Sequence, residues 1–307
     1  RVLALRPDDL QVARELLPIY REQGSWARMM ATYEVLLSAA ADDDDRLDLI
    51  AVMRDIAVHK LNNPKQALHW AARAYEIRPS DEVLRAGLES AAERADGWEE
   101  LTAIYERRLA GADCDPAERL ELLDKLAGIA RERLGRPIEA QRFFRQIIDL
   151  DPANKVAIAA LEEIYTATNQ WGDLAAVFAK RLTVTRDNAV RLPLLRRLGA
   201  LQEHKVGDFD AAIDTYREVL QLAPGDNDAL DALTRLYRAR ERWAELADIL
   251  QRRLDSVELG NDQIPLLFEL SQIHATRLRN SQKAIAGFLQ ILDFEPDHLP
   301  TIDALEV

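Results

Sequence analysis

Apolar residues recur along the chain at spacings of three and four, the signature of helices that bury one face. Trp98, Leu101 and Tyr105 show it, as do Trp171, Leu174 and Phe178. The same spacing returns in Leu47, Ile50 and Met53, in Leu120, Leu123 and Leu126, in Leu192, Leu195 and Leu198, and in Ile264, Leu267 and Leu270. No segment alternates with a period of two over a strand's length. The pattern predicts helices of roughly 14 to 18 residues, separated by short connections such as Asp96-Gly97, Gly135-Arg136-Pro137 and Gly207-Asp208. Short connections between amphipathic helices make antiparallel neighbours.

The helices are organised by an internal repeat. Prolines 7, 79, 152, 224 and 296 lie 72, 73, 72 and 72 residues apart, and Trp26, Trp98, Trp171 and Trp243 each follow one of them by 19 residues. Each period holds four helices. The first carries Leu16, Leu88, Leu161 or Leu233, with Tyr20, Tyr165 and Tyr237 one turn later and Ala92 as the exception. The fourth carries a small residue (Ala67, Ala140, Ala212, Ala284) and then Phe144, Tyr216 or Phe288, where the first copy has Ala71. Asp8, Ser80, Asn154 and Asp226, placed just after the prolines, are the expected N-caps. Because the repeating tryptophans keep step with Leu and Tyr, they are expected to pack in the core. Trp70 breaks step and is expected to have a local role.

These units resemble the tetratricopeptide repeat, a helix-turn-helix family with an early Leu and Tyr, then Ala, an aromatic and a terminal Pro. The stretch from Leu198 through Ala212 and Tyr216 to Pro224 carries most of that pattern. The hairpins bearing the repeating tryptophans depart from it, with Leu101, Leu174 or Leu246 where the family has a small Ala. The resemblance implies an all-α, right-handed α-solenoid of antiparallel helix hairpins, running over residues 1–307 as one continuous array. Leu5 matches Ile77, Leu150 and Leu222, and Leu305 matches Leu233. Both ends are thus expected to fall inside a unit, as in a piece of a longer protein.

Composition narrows the partners. The net charge of −13 repels phosphate backbones, so nucleic acid is not expected. No apolar run reaches the roughly 18 residues of a membrane span. Arginine far outnumbers lysine, which points to a GC-rich bacterial genome. The lone Cys114 permits no internal disulfide and excludes neither a reducing nor an oxidising compartment; the cytoplasm is the favoured location, with the periplasm as the alternative. Cys114 precedes Asp115-Pro116, an expected helix start that would lower a thiol pKa. The histidines at 59, 69, 204, 274 and 298 never fall at zinc-ligand spacing. Asp42 to Asp45 lack the spaced oxygens and Gly of a calcium loop and read as an inter-helix turn. Phosphate-loop, dinucleotide-binding, nucleophile-elbow and zinc-protease motifs do not occur. No cofactor, metal or catalytic residue is therefore expected.

The function that the resemblance implies is a non-enzymatic scaffold, binding a protein or peptide in a concave groove lined by the first helix of each hairpin. The repeat region of a longer enzyme or signalling protein is the alternative, and an RNA-binding helical repeat a weaker one. The expected partner-binding residues are Glu121, Asp124 and Arg131, then Glu163 and Arg196, then Asp228, Asp231, Arg235 and Arg238. Some members of the family grip a terminal carboxylate with Lys and Asn at such positions. Here the carboxylates among these residues predict a basic amphipathic segment as the partner. Pairing within one helix, such as Asp231 with Arg235, is the purely structural account of the same residues.

Overall fold

A computed structural model describes residues 10–256 and 263–306 of the 307-residue chain. Every regular element among the described residues is helical. The chain divides into two compact units, Arg1–Asp151 and Pro152–Val307, and the division falls on a repeating proline. The first unit contains α1 (Leu10–Glu22), α2 (Trp26–Ser38), α3 (Asp43–His59), α4 (Pro64–Ile77), α5 (Glu82–Ala95), α6 (Trp98–Ala110), α7 (Pro116–Gly128) and α8 (Pro137–Leu150). The second contains α9 (Lys155–Ala167), α10 (Trp171–Val184), α11 (Asn188–Leu201), α12 (Phe209–Leu222), α13 (Asn227–Ala239), α14 (Trp243–Ser256), α15 (Ile264–Thr276), α16 (Ser281–Phe294) and α17 (Leu299–Glu306). Within each unit every helix packs on the next in sequence, so the four-helix period read from the prolines is the period of the fold.

Side-chain carboxylates and amides start the helices by accepting orphan backbone N–H groups. Asp226 accepts from Ala229 N at 2.9 Å, and Asn154 accepts from Ala157 N at 3.0 Å. For α5 the cap is Asp81, which accepts from Val83 N and Leu84 N, and not Ser80 as expected. Asp8 lies outside the described residues. Asp42 caps α3, with Asp43, Asp44 and Asp45 in its first turn, where the helix dipole favours negative charge.

Eight hairpin turns are closed by a residue in the left-handed region, and these residues follow the same clock. Gly24, Asp96, Asn169 and Glu241 turn the first hairpin of each period; Asn62, Gly135, Gly207 and Arg279 turn the second. The N–H after the first set reaches back five residues, as in Ser25 N to Tyr20 O at 2.8 Å and Arg242 N to Tyr237 O at 2.9 Å. Such bonds satisfy the last carbonyls of the preceding helix.

The core is built from the expected positions. Leu88, Leu161, Leu233, Leu101, Leu126, Ala140, Ala212, Phe144 and Tyr165 are all buried. Gly199 on α11 faces the ring of Tyr216 on α12 so closely that an added Cβ would lie 2.8 Å from Cε1. Gly199→Ala is expected to overpack this contact and destabilise the second unit by about 1–3 kcal/mol. A urea-unfolding midpoint that stays at the wild-type value would refute the tight contact.

The repeating tryptophans correct the sequence expectation. Trp26, Trp98, Trp171 and Trp243 are only partly buried. Each opens the second helix of its hairpin and is covered by a cation from the end of the third helix of its period. Lys60 lies 5.4 Å from the Trp26 ring centre, Arg133 4.7 Å from Trp98, Lys205 5.2 Å from Trp171 and Arg277 4.7 Å from Trp243. Stretches of π-helix at Ile129–Arg133 and Gln202–Val206 present two of these cations. An exposed indole–cation contact contributes about 0.5–1 kcal/mol, so the four contacts fasten successive hairpins at their rims. Trp70 instead is 2% exposed and sits fully in the core. It stands nine residues before Pro79, where the next copy has the buried Phe143.

Candidate functional site

The helices that open the hairpins place the nine expected partner-binding residues differently from what was expected of them as a group. Six are engaged by the protein itself. Glu121 on α7 pairs with Arg85 on α5 at 2.9 Å. Arg131 pairs with Glu132 at 3.0 Å and lies over the Phe144 ring. Arg196 on α11 holds Asp226 at 2.5 Å, and the Asp226 carboxylate, 2% exposed, is the N-cap of α13. Asp231 pairs with Arg253 on α14 at 2.8 Å, and Arg238 pairs with Glu269 on α15. Arg235 reaches Glu203 at 3.1 Å.

Pairing of Asp231 with Arg235 inside one helix, the structural account offered by the sequence, is therefore incorrect. Both residues pair across helices. The arrangement is general: Lys125 on α7 meets Glu89 on α5 at 2.7 Å, and Arg197 on α11 meets Glu162 on α9. Exposed pairs of this kind each stabilise by about 0–1 kcal/mol, and their main effect is to fix the register of one hairpin on the next. Glu203 is another enclosed acceptor, 8% exposed, and also accepts from the Tyr216 hydroxyl at 3.1 Å. Burial, and then this carboxylate, push the Tyr216 pKa well above its ordinary value.

Three of the nine remain available. Asp124, Glu163 and Asp228 are exposed and make no hydrogen bond or ion pair with a described residue. Asp124 lies on α7; Glu163 and Asp228 lie on α9 and α13 of the second unit.

Sequence reasoning missed a cleft of about 570 Å³ in the first unit, between α3, the start of α4 and α5. Small residues make the room: Ala51, Ala67, Gly87 and Ala91 line it. Its polar wall holds Arg54, Asp55, His59, Asn62, Ser90 and Arg94. His59 Nε2 lies 3.5 Å from Asp55 Oδ1, whereas Arg54 and Arg94 make no ion pair with a described residue. Arg54 is partly buried. A signal for it was present. Measured back from the repeating proline, Arg54 stands where the other copies have Ala127, Gly199 and Ser271.

Among the described residues no three His, Cys, Asp or Glu side chains are grouped as metal ligands, and no helix is long and apolar enough to cross a membrane. Cys114 departs from the expectation of a lowered thiol pKa. It is 8% exposed, and desolvation first, with Glu118 next, raises its pKa.

With this geometry in place, the comparisons are consistent. A family model of the tetratricopeptide repeat matches residues 157–192, 194–230 and 229–263. Two of those stretches contain the hairpins whose second helices begin at Trp171 and Trp243, the kind that departs from the family pattern. Tetratricopeptide repeat protein 21A of Mus musculus is 24% identical, across 81% of this chain and 20% of its own length; the chain thus spans about a fifth of that relative. Among solved structures, YrrB, a TPR protein with an unusual peptide-binding site, is 15% identical over 66% of this chain and 98% of its own, with a TM-score of 0.33. The C-terminal part of a TPR repeat-containing protein from Cytophaga hutchinsonii is 14% identical over 97% and 100%, also with a TM-score of 0.33.

Proposed function

We propose that this chain, which carries tetratricopeptide repeats at residues 157–263 and their double-hairpin period from Pro7 to Pro296, is a non-enzymatic scaffold that docks a segment of a partner protein. Tetratricopeptide repeats are in general protein-interaction modules, and stacked hairpins offer extended binding surfaces. The observation that carries the reading is that Asp124 in the first unit, and Glu163 and Asp228 in the second, are exposed and make no ion pair with a described residue, whereas neighbouring charges on the same helices pair between hairpins. Paired charges are already neutralised, so the unpaired carboxylates set the local potential. A basic, partly apolar segment gains attraction from them. At 0.15 M salt the Debye length is about 8 Å, so that attraction acts only near contact and weakens as salt rises.

Titration of the chain with a labelled basic amphipathic peptide tests this. Affinity is expected to fall by roughly tenfold on raising salt from about 0.05 to 0.3 M. It is expected to fall comparably in the triple variant Asp124→Asn, Glu163→Gln, Asp228→Asn. Binding that is indifferent to both changes would remove the basis for a basic partner at these positions.

A further inference from the structure

The cleft between α3 and α5 carries charge opposite to that of the chain as a whole. Its ionic residues are Arg54, Arg94 and Asp55, with His59 beside Asp55. Two guanidinium groups thus face one carboxylate, inside a protein of net charge −13.

Two departures from the repeat meet at that site, Arg54 on the third helix of the first copy and Gly87 on the first helix of the second. At the position of Arg54 the other copies have Ala127, Gly199 and Ser271, and eight before the repeating proline, where the first copy has Ala71, they have Phe144, Tyr216 and Phe288. Gly199 shows how tightly the two positions pack, with the Tyr216 ring 2.8 Å from where its Cβ would be. In the first copy Ala71 stands for the aromatic and Arg54 for the small residue, and the helix after Pro79, which opens the second copy, has Gly87 where the next two copies have Ala160 and Ala232. A Cβ at Gly87 would lie 3.0 Å from Nη1 of Arg54, so the glycine leaves the guanidinium room. A partly buried arginine set opposite a glycine, yet given no carboxylate partner among the described residues, is not explained by stability. Burying part of an unpaired guanidinium costs free energy.

We infer that this cleft receives a carboxylate side chain, from an aspartate or glutamate in an extended segment of a partner protein, with Arg54 as its bidentate anchor and Arg94 as the second cation. The inference rests on the scaffold reading and deepens it for the first unit. The planar guanidinium fork matches a carboxylate through two parallel hydrogen bonds. Asn62 and Ser90 offer uncharged hydrogen-bonding groups for the peptide backbone that accompanies it. The charge balance decides between anions. Two cations and Asp55 leave one positive charge, which a single carboxylate cancels; a phosphate dianion would leave the cleft negative and close to Asp55.

The test uses a glutamate-containing peptide acetylated at its N-terminus and amidated at its C-terminus, so that side-chain carboxylates are its only anions. Fluorescence anisotropy with the full chain is expected to show saturable binding that is lost when Glu is replaced by Gln. Arg54→Ala is expected to weaken binding by about tenfold or more, in line with loss of a charge-assisted bidentate pair. It should fold normally, since it restores the small residue of the other three copies. Arg54→Lys keeps the charge without the fork and is expected to recover only part of the affinity. Gly87→Ala displaces the guanidinium and is expected to weaken binding without removing any charge. Unchanged binding in Arg54→Ala overturns the inference. So does competition by inorganic phosphate at lower concentration than by the peptide, or binding only of peptides with a free terminal carboxylate. Failure of the capped acidic peptide to bind overturns it too, while leaving the basic-peptide titration above to judge the scaffold reading on its own.

Discussion

Trp70→Ala is expected to destabilise the first unit by about 3–5 kcal/mol, as removal of a fully buried aromatic ring does, while Trp171→Ala is expected to cost the second unit roughly half of that. The difference follows from burial. Trp70 is 2% exposed among Ala67, Ala71 and Ala74 of its own helix, so its loss leaves a cavity that small neighbours cannot fill. Trp171 lies at a rim under Lys205, and its removal opens space to water. Trp70→Phe separates the two contributions within the core site. The Trp70 Nε1 is buried without a hydrogen-bond partner, a defect worth about 1–3 kcal/mol, and Phe143 already fills the corresponding place in the next copy. The phenylalanine variant is therefore expected to stay within about 1.5 kcal/mol of wild type. Urea unfolding measures all three. Acrylamide quenching adds a structural check, with one protected tryptophan expected in the wild type and none in Trp70→Ala. Equal losses for Trp70→Ala and Trp171→Ala would contradict the burial of the two indoles.

The tryptophans show where sequence reading stops. Their period of 72–73 residues was visible, and so were the helices, because residues that recur at fixed offsets signal a recurring environment. Recurrence does not say which environment. A ring packed in the core and a ring capped by a cation recur equally well, and only the matching recurrence of Lys60, Arg133, Lys205 and Arg277 distinguishes them. The turns were legible where glycine marks them, at Gly135 and Gly207. They were not legible at Glu241 and Arg279, which hold the same left-handed conformation at a cost of about 1–2 kcal/mol that the surrounding hairpin imposes. The ion pairs of the expected partner-binding residues were hidden by distance along the chain. Arg235 and Glu203 are 32 residues apart, beyond any rule of helical spacing, so their pairing between hairpins could not be read from the sequence. Arg54 was readable as a break in the small-residue period, but its meaning needed the proximity of Gly87.

Arg108→Met is expected to have the other large effect, because it strands a charge. Arg108 and Glu118 are both 10% exposed and bonded at 2.6 Å, while Arg108 also holds Asp113 at 2.9 Å. One arginine thus joins the end of α6, the connection after it and the first turn of α7. Removing one partner of a buried pair typically costs about 3–5 kcal/mol, since the remaining charge loses its compensation. Replacing both, as in Arg108→Met with Glu118→Leu, is expected to recover most of that loss, and a double-mutant cycle in urea would measure the coupling. Cys114 reports the same event locally. Its thiol is buried beside this pair, with its pKa raised by desolvation first, so a disulfide reagent should modify it slowly in the wild type. In Arg108→Met the reaction is expected to accelerate strongly as the connection loosens, and in the double variant to slow again. The consequence reaches the proposed interaction surface, because α7 carries Asp124 and also the Glu121 and Lys125 that fasten it to α5. A variant that loses 3 kcal/mol or more while Cys114 stays protected would show that the pair stabilises the fold without holding this connection in place.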